Sequence, residues 1–113
     1  MAREATYEAG ATIFESGTHE QALFVVLDGA VDIVREGSDA PVATLGVGET
    51  FGEMALIEEL PRSAGAVAKE DSRLLVLQPE DFDQLLLRDP EAGVIILRNL
   101  AKTLSRRLRS EGE

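Results

Sequence analysis

Between Tyr7 and about Leu77 every apolar stretch is short and ends at a glycine or a polar turn, and after Leu77 that punctuation stops. Thr12-Ile13-Phe14 gives way to Glu15-Ser16-Gly17, the run Leu23 to Leu27 to Asp28-Gly29, and Val31-Asp32-Ile33-Val34 to a polar loop over 36–40. Text of this kind makes strands joined by turns. Asp28-Gly29 between two β-rich runs is a hairpin signal, because a two-residue turn that matches strand twist needs positive φ, so strands 23–27 and 31–35 are expected to pair. Further strands are expected at 42–45, 63–67 and 74–77, separated by loops at 46–49 and 69–72. About eight short strands at this spacing predict a sandwich or a rolled barrel.

The period then changes from two to between three and four. Pro79 suits a first helical turn, Glu80 and Asp81 favour its positive end, and Phe82, Leu85 and Leu86 recur at helical spacing, which predicts a helix over about 79–88. Asp89-Pro90 repeats the start signal. A second helix over about 90–109 carries Val94, Leu97, Leu100, Ala101, Leu104 and Leu108 as an apolar stripe beside Arg98, Lys102, Arg106 and Arg109. The stripe reads first as a core face and second as a surface for a second copy.

A chain of 113 residues supports one domain, 1–113, with a β-roll over about 2–78 followed by the two helices. It has no cysteine, which excludes disulfides, thiolate metal sites and cysteine nucleophiles. Its single histidine, His19, sits in a polar loop and reads as a solvated turn residue. The formal net charge is −10, and it is unevenly spread. Residues 98–113 carry five basic and two acidic residues, whereas residues 1–97 carry six and nineteen, or −13. A surface this acidic repels phosphate backbones, so no nucleic-acid binding is expected of this chain alone. The longest apolar runs, 22–27 and 93–97, are far short of the roughly 20 residues of a membrane span, and no signal stretch follows Met1. The chain therefore reads as cytoplasmic, with no membrane contact.

The chemistry concentrates in Phe51-Gly52-Glu53-Met54-Ala55-Leu56-Ile57-Glu58-Glu59-Leu60-Pro61-Arg62-Ser63-Ala64. Residues 53–59 favour a short helix, and a glycine just before it lets backbone approach a ligand where free N–H groups form an anion site. Arg62 and Ser63 follow close behind. Arginine offers a planar fork of donors to phosphate oxygens, serine a rotatable hydroxyl, and Glu53 an acceptor suited to a sugar hydroxyl. Taken singly these residues are ordinary: Arg62 would pair with Glu58, and Glu53 would sit at a helix start. Together, donors and one acceptor fit a sugar phosphate.

At these residues the sequence resembles the cyclic nucleotide-binding domain, the module shared by catabolite-activator-type regulators, kinase regulatory subunits and nucleotide-gated channels. The resemblance runs from about Gly10 to Leu108, with Gly10, Gly17 and Gly29 where the family turns. Residues 51–64 follow its phosphate-binding cassette, Phe-Gly-Glu-x-Ala-Leu, a short spacer, then Pro-Arg-Ser or Thr-Ala. The resemblance implies an α+β fold that is mainly β: an eight-stranded β-roll, or jelly roll, followed by two α-helices. It implies a non-enzymatic regulatory module whose ligand is cAMP, with cGMP the second candidate, and which needs no metal. The implied ligand-binding residues are Gly52, Glu53, Met54, Ala55, Arg62, Ser63, Ala64 and Arg107. Gly52 and Glu53 would hold the ribose, Glu53 through the 2′-hydroxyl. Arg62, Ser63 and N–H groups near Ala55 would hold the cyclic phosphate, and Arg107 would brace Glu53.

The alternative is the same fold without ligand binding, serving as a protein-interaction or dimerisation module. Gly65-Ala66, smaller than the family's usual residues there, and the lack of a residue beyond Leu108 to cover the base favour the alternative. Intact Glu53, Arg62 and Ser63 favour binding. A β-roll metalloenzyme is disfavoured by the single histidine. Expected partners are a small cyclic nucleotide and either a second copy through the last helix or an effector domain in another chain.

Overall fold

The computed structural model describes residues 2–17, 22–35, 37, 38, 40–52 and 64–112, and of residues 107, 108 and 110–112 the backbone alone. The described strands are β1 (Arg3–Tyr7), β2 (Thr12–Phe14), β3 (Leu23–Asp28), β4 (Val31–Val34), β5 (Ala43–Leu45), β6 (Thr50–Phe51), β7 (Gly65–Ala68) and β8 (Ser72–Leu77). Two helices follow, α1 (Pro79–Arg88) and α2 (Pro90–Gly112). The strands form two antiparallel four-stranded sheets, ordered β1-β8-β3-β6 and β2-β7-β4-β5. This is the expected mainly-β roll with two terminal helices.

The turn at Asp28-Gly29 is present, but the pairing expected across it is not. Gly29 has φ +90°, yet β3 bonds β6 and β8 in the first sheet while β4 bonds β5 and β7 in the second. The turn is a corner between sheets. It is clasped against the β7–β8 corner, where the Ser72 hydroxyl accepts from the Ala30 N–H at 3.2 Å and the Lys69 N–H donates to the Ala30 carbonyl at 2.9 Å. A Cβ on Gly29 would strike the Ser72 side chain and the Asp71 carbonyl, so this corner requires glycine twice over, for φ and for space.

Alternation along the strands explains both cores. Phe24, Val26, Leu74 and Val76 point between the sheets, where they meet Phe14, Val31, Phe51 and Ala66. Their neighbours Leu23, Val25, Leu75 and Leu77 point the other way, against Phe82, Leu85, Leu86 and Ile96 of the helices. The runs 23–27 and 74–77 are apolar throughout because the first sheet is covered on both faces. Each fully buried side chain of this kind contributes roughly 1.5–3 kcal/mol.

The helix boundaries follow their caps. The Gln78 N–H donates to the Asp81 carboxylate at 3.0 Å ahead of Pro79. Asp89 closes α1 through its N–H to the Leu85 carbonyl at 2.8 Å, and its carboxylate then accepts the Ala92 N–H at 3.2 Å to open α2. Along α2 the expected core stripe needs correction. The residues buried against the roll are Ile96, Leu100 and Thr103, whereas Val94 is 46% and Leu97 42% exposed, and Ala101 is exposed as well. At 100° per residue, 96, 100 and 103 form one face, and 94, 97, 101 and 104 form another beside it. Among the described residues no helix is long and apolar enough to cross a membrane.

Candidate functional site

The segment carrying the sugar-phosphate signature is anchored at both ends in the roll. At its start, β6 is an edge strand of two residues, paired to β3 through Phe24↔Phe51 and Val25↔Thr50. Ring packing reinforces this short ladder: Phe51 stacks on Phe24 at 4.9 Å between centroids and lies 6.0 Å from Phe14. Gly52 follows with φ +78°, a conformation that costs other residues strain, and there the chain leaves the first sheet. It re-enters at half-buried Ala64 and at Gly65, the first residue of β7, an interior strand of the second sheet. Glu53, Met54, Ala55, Arg62 and Ser63, together with the expected short helix over 53–59, lie outside the described residues. Gly52 and Ala64 are the described ends of the signature.

Gly65 has a packing reason to be small. A Cβ there would lie 3.3 Å from the Phe14 carbonyl and 3.3 Å from a Val34 methyl. Beside it a cavity of about 380 Å³ is lined by Phe14, Ser16, Val34, Arg35, Gly65 and Val67 among others. His19 lies outside the described residues, and among those described no group of His, Cys, Asp and Glu is placed to hold a metal.

The turn leading into β6 is fixed from two sides. On the roll side, the Gly48 N–H donates to the Val26 carbonyl at 2.8 Å and the Val26 N–H to the Glu49 carbonyl at 3.0 Å. One Glu49 oxygen accepts the Gly46 N–H at 2.8 Å. On the helix side, Asn99 Nδ2 of α2 donates to the Gly48 carbonyl at 2.6 Å, and Arg106 Nη1 donates to the other Glu49 oxygen at 2.6 Å. Burial alone would raise the Glu49 carboxyl, but the Gly46 N–H and the Arg106 hydrogen bond and charge outweigh it, so the group titrates below its ordinary value.

Arg107, expected to brace Glu53, has its backbone in α2, and its side chain lies outside the described residues. Its neighbour Arg106 is the arginine seen to reach the roll. Glu49, Asn99 and Arg106 were not among the expected site residues. The signal that points to them is Asn99, Thr103 and Arg106 at i, i+4 and i+7, a polar row on one face of an otherwise apolar helix.

Comparison with known proteins agrees with this architecture. The family described as the cyclic nucleotide-binding domain matches residues 4–89. The cyclic AMP receptor protein of Thermus thermophilus is 45% identical over 106 residues, which are 91% of this chain and 47% of that protein. The cAMP-dependent protein kinase regulatory subunit of Aspergillus niger is 36% identical over 80 residues, 71% of this chain and 20% of that subunit. The chain thus spans less than half the length of these curated relatives. The crystal structure of Thermus thermophilus catabolite activator protein superposes with a TM-score of 0.77 at 43% identity, covering 96% of this chain and 51% of that one.

Proposed function

The chain belongs to the cyclic nucleotide-binding domain family, and from that premise we propose that it is a non-enzymatic regulatory module of the cytoplasm that binds cAMP and relays occupancy through its terminal helices. The observation that carries this reading is the placement of Phe51 to Ala64. A cassette-like sequence joins a glycine of positive φ at a sheet edge to the interior strand of the opposite sheet, within the matched residues. In this reading Gly52 and Glu53 hold the ribose. Arg62, Ser63 and N–H groups around Met54, Ala55 and Ala64 hold the cyclic phosphate, and Arg107 supports Glu53. Relatives named for cAMP support the choice of nucleotide. Ser63 offers a hydroxyl to a guanine but lacks the methyl that would fix its rotamer, so a modest preference for cAMP over cGMP follows.

Calorimetric titration with cAMP, cGMP and linear AMP tests the reading. The expected result is saturable binding of cAMP, weaker binding of cGMP and none of AMP. Absence of binding, or AMP binding as tightly as cAMP, would overturn it.

A second reading, interaction without ligand, draws on one observation. Val94, Leu97, Ala101, Leu104 and Leu108 alternate in steps of three and four, the spacing of a two-stranded helical seam, and the first three are exposed. A second copy is the occupant this spacing fits, and the seam is compatible with ligand binding as well as with its loss.

A further inference from the structure

β6 is a weak element in an important place. It has two ladder pairs, no strand on its outer edge, and Gly52 directly after it. Thr50 pairs with Val25, so it shares the sheet face that looks toward the helices. It is fully buried there, and its hydroxyl has no hydrogen-bond partner among the described residues. α2 packs on β6, and it is the cover that keeps this face dry. It also grips the preceding turn at two points seven residues apart on the helix, Asn99 on the Gly48 carbonyl and Arg106 on Glu49. Seven residues are two helical turns, roughly 10 Å, so the two contacts fix the helix's orientation as well as its position.

We propose that Asn99 and Arg106 are positioning residues for the ligand site: by gripping the Gly46–Glu49 turn they hold β6, and with it Gly52, so that the seating of α2 and the affinity of the site are coupled. The proposal rests on the cyclic nucleotide reading above and adds to it the residues that do the coupling. The Asn99 bond reaches a backbone carbonyl and is partly shielded, so it anchors. The Arg106–Glu49 pair is more open, with side chains 60% and 25% exposed, so it is adjustable and weakens with salt. With the turn released, the two residues of β6 keep only their ladder bonds and ring packing, and the start of the site must be ordered at the expense of binding. Coupling of this kind is reciprocal, so bound nucleotide must in turn hold α2 in its seat.

The test measures cAMP dissociation constants for the whole chain and for Arg106→Gln, Glu49→Gln, their double variant and Asn99→Ala. Circular dichroism confirms folding, and Arg98→Gln, exposed on the same helix, serves as a charge-matched control. Each single change is expected to weaken binding about three- to tenfold, with the double no weaker than either single, since all break one contact. The control should bind like the parent. Amides of residues 46–52 should exchange faster in ligand-free Arg106→Gln. A merely structural role would lower the melting temperature and leave the dissociation constant alone.

The proposal is overturned if folded Arg106→Gln and Asn99→Ala bind within twofold of the parent, or if the two losses in the double variant multiply. Should the parent bind no cyclic nucleotide at all, the functional reading fails on its own account. The grip is then judged by exchange, and unchanged amides at 46–52 in Arg106→Gln overturn it.

Discussion

Arg62 is the side chain on which the ligand reading depends most. A charge-assisted hydrogen bond to phosphate contributes roughly 1.5–3 kcal/mol, so Arg62→Ala should weaken cAMP binding about ten- to a hundredfold, and Glu53→Ala somewhat less. Calorimetry on the folded variants checks this, and an unchanged dissociation constant for Arg62→Ala would remove the site from this segment. Glu49 provides a residue-scale test through pH. Its carboxyl is held below its ordinary value in the fold, so it adds stability above the unfolded carboxylate pKa, and that contribution is lost as pH falls through the lower folded value. The stability gap between the parent and Glu49→Gln should therefore be fully open near neutrality and close below about pH 4, near the ordinary carboxylate range. Thermal melts of both proteins across that range measure it; a gap independent of pH would mean that the charge on Glu49 does not matter.

Elements were legible where one residue type forces one local geometry. Pro79 and Pro90 open the two helices, and Gly29 turns the chain, as their backbone limits require. What the local text could not carry was the partner of each strand. Asp28-Gly29 reads identically as a hairpin and as a corner between sheets, and only the long-range packing of Ser72 against Ala30 decides it. The same limit applies to α2. An apolar residue at every third or fourth position was readable, but one stripe faces the roll at Ile96 and Leu100 while its neighbour at Val94 and Leu97 stays exposed. Which of two adjacent stripes is buried depends on where the helix lands. The candidate site was legible as a cassette sequence, whereas its support by Asn99 and Arg106 spans 51 and 57 residues and left only a polar row as its trace. Two element-scale outcomes follow. Gly29→Ala should lower stability by about 2–4 kcal/mol, because it adds a backbone penalty to a steric clash with Ser72, and denaturant unfolding will show it. Leu97→Glu should leave the fold intact and abolish any dimer seen by sedimentation, since Leu97 stands on the exposed seam and not on the roll-facing stripe.

For the whole molecule, the consequential arrangement is that one long helix touches both the corner that launches the ligand segment and, on its opposite side, open solvent with an apolar seam. The acidic roll and the basic helix attract each other, since residues 1–97 carry −13 and residues 98–113 +3. Ligand does not need to create a new fold to be felt. It needs only to bind one seating of α2 better than another, and couplings of roughly 1–3 kcal/mol suffice. Hydrogen exchange across the full chain, with and without saturating cAMP, tests this account most directly. The account predicts slower exchange over residues 51–64, together with slower exchange over residues 90–109 as α2 is held in its seat. Unchanged exchange over 51–64 would contradict the site, and protection confined to 51–64 would contradict the relay.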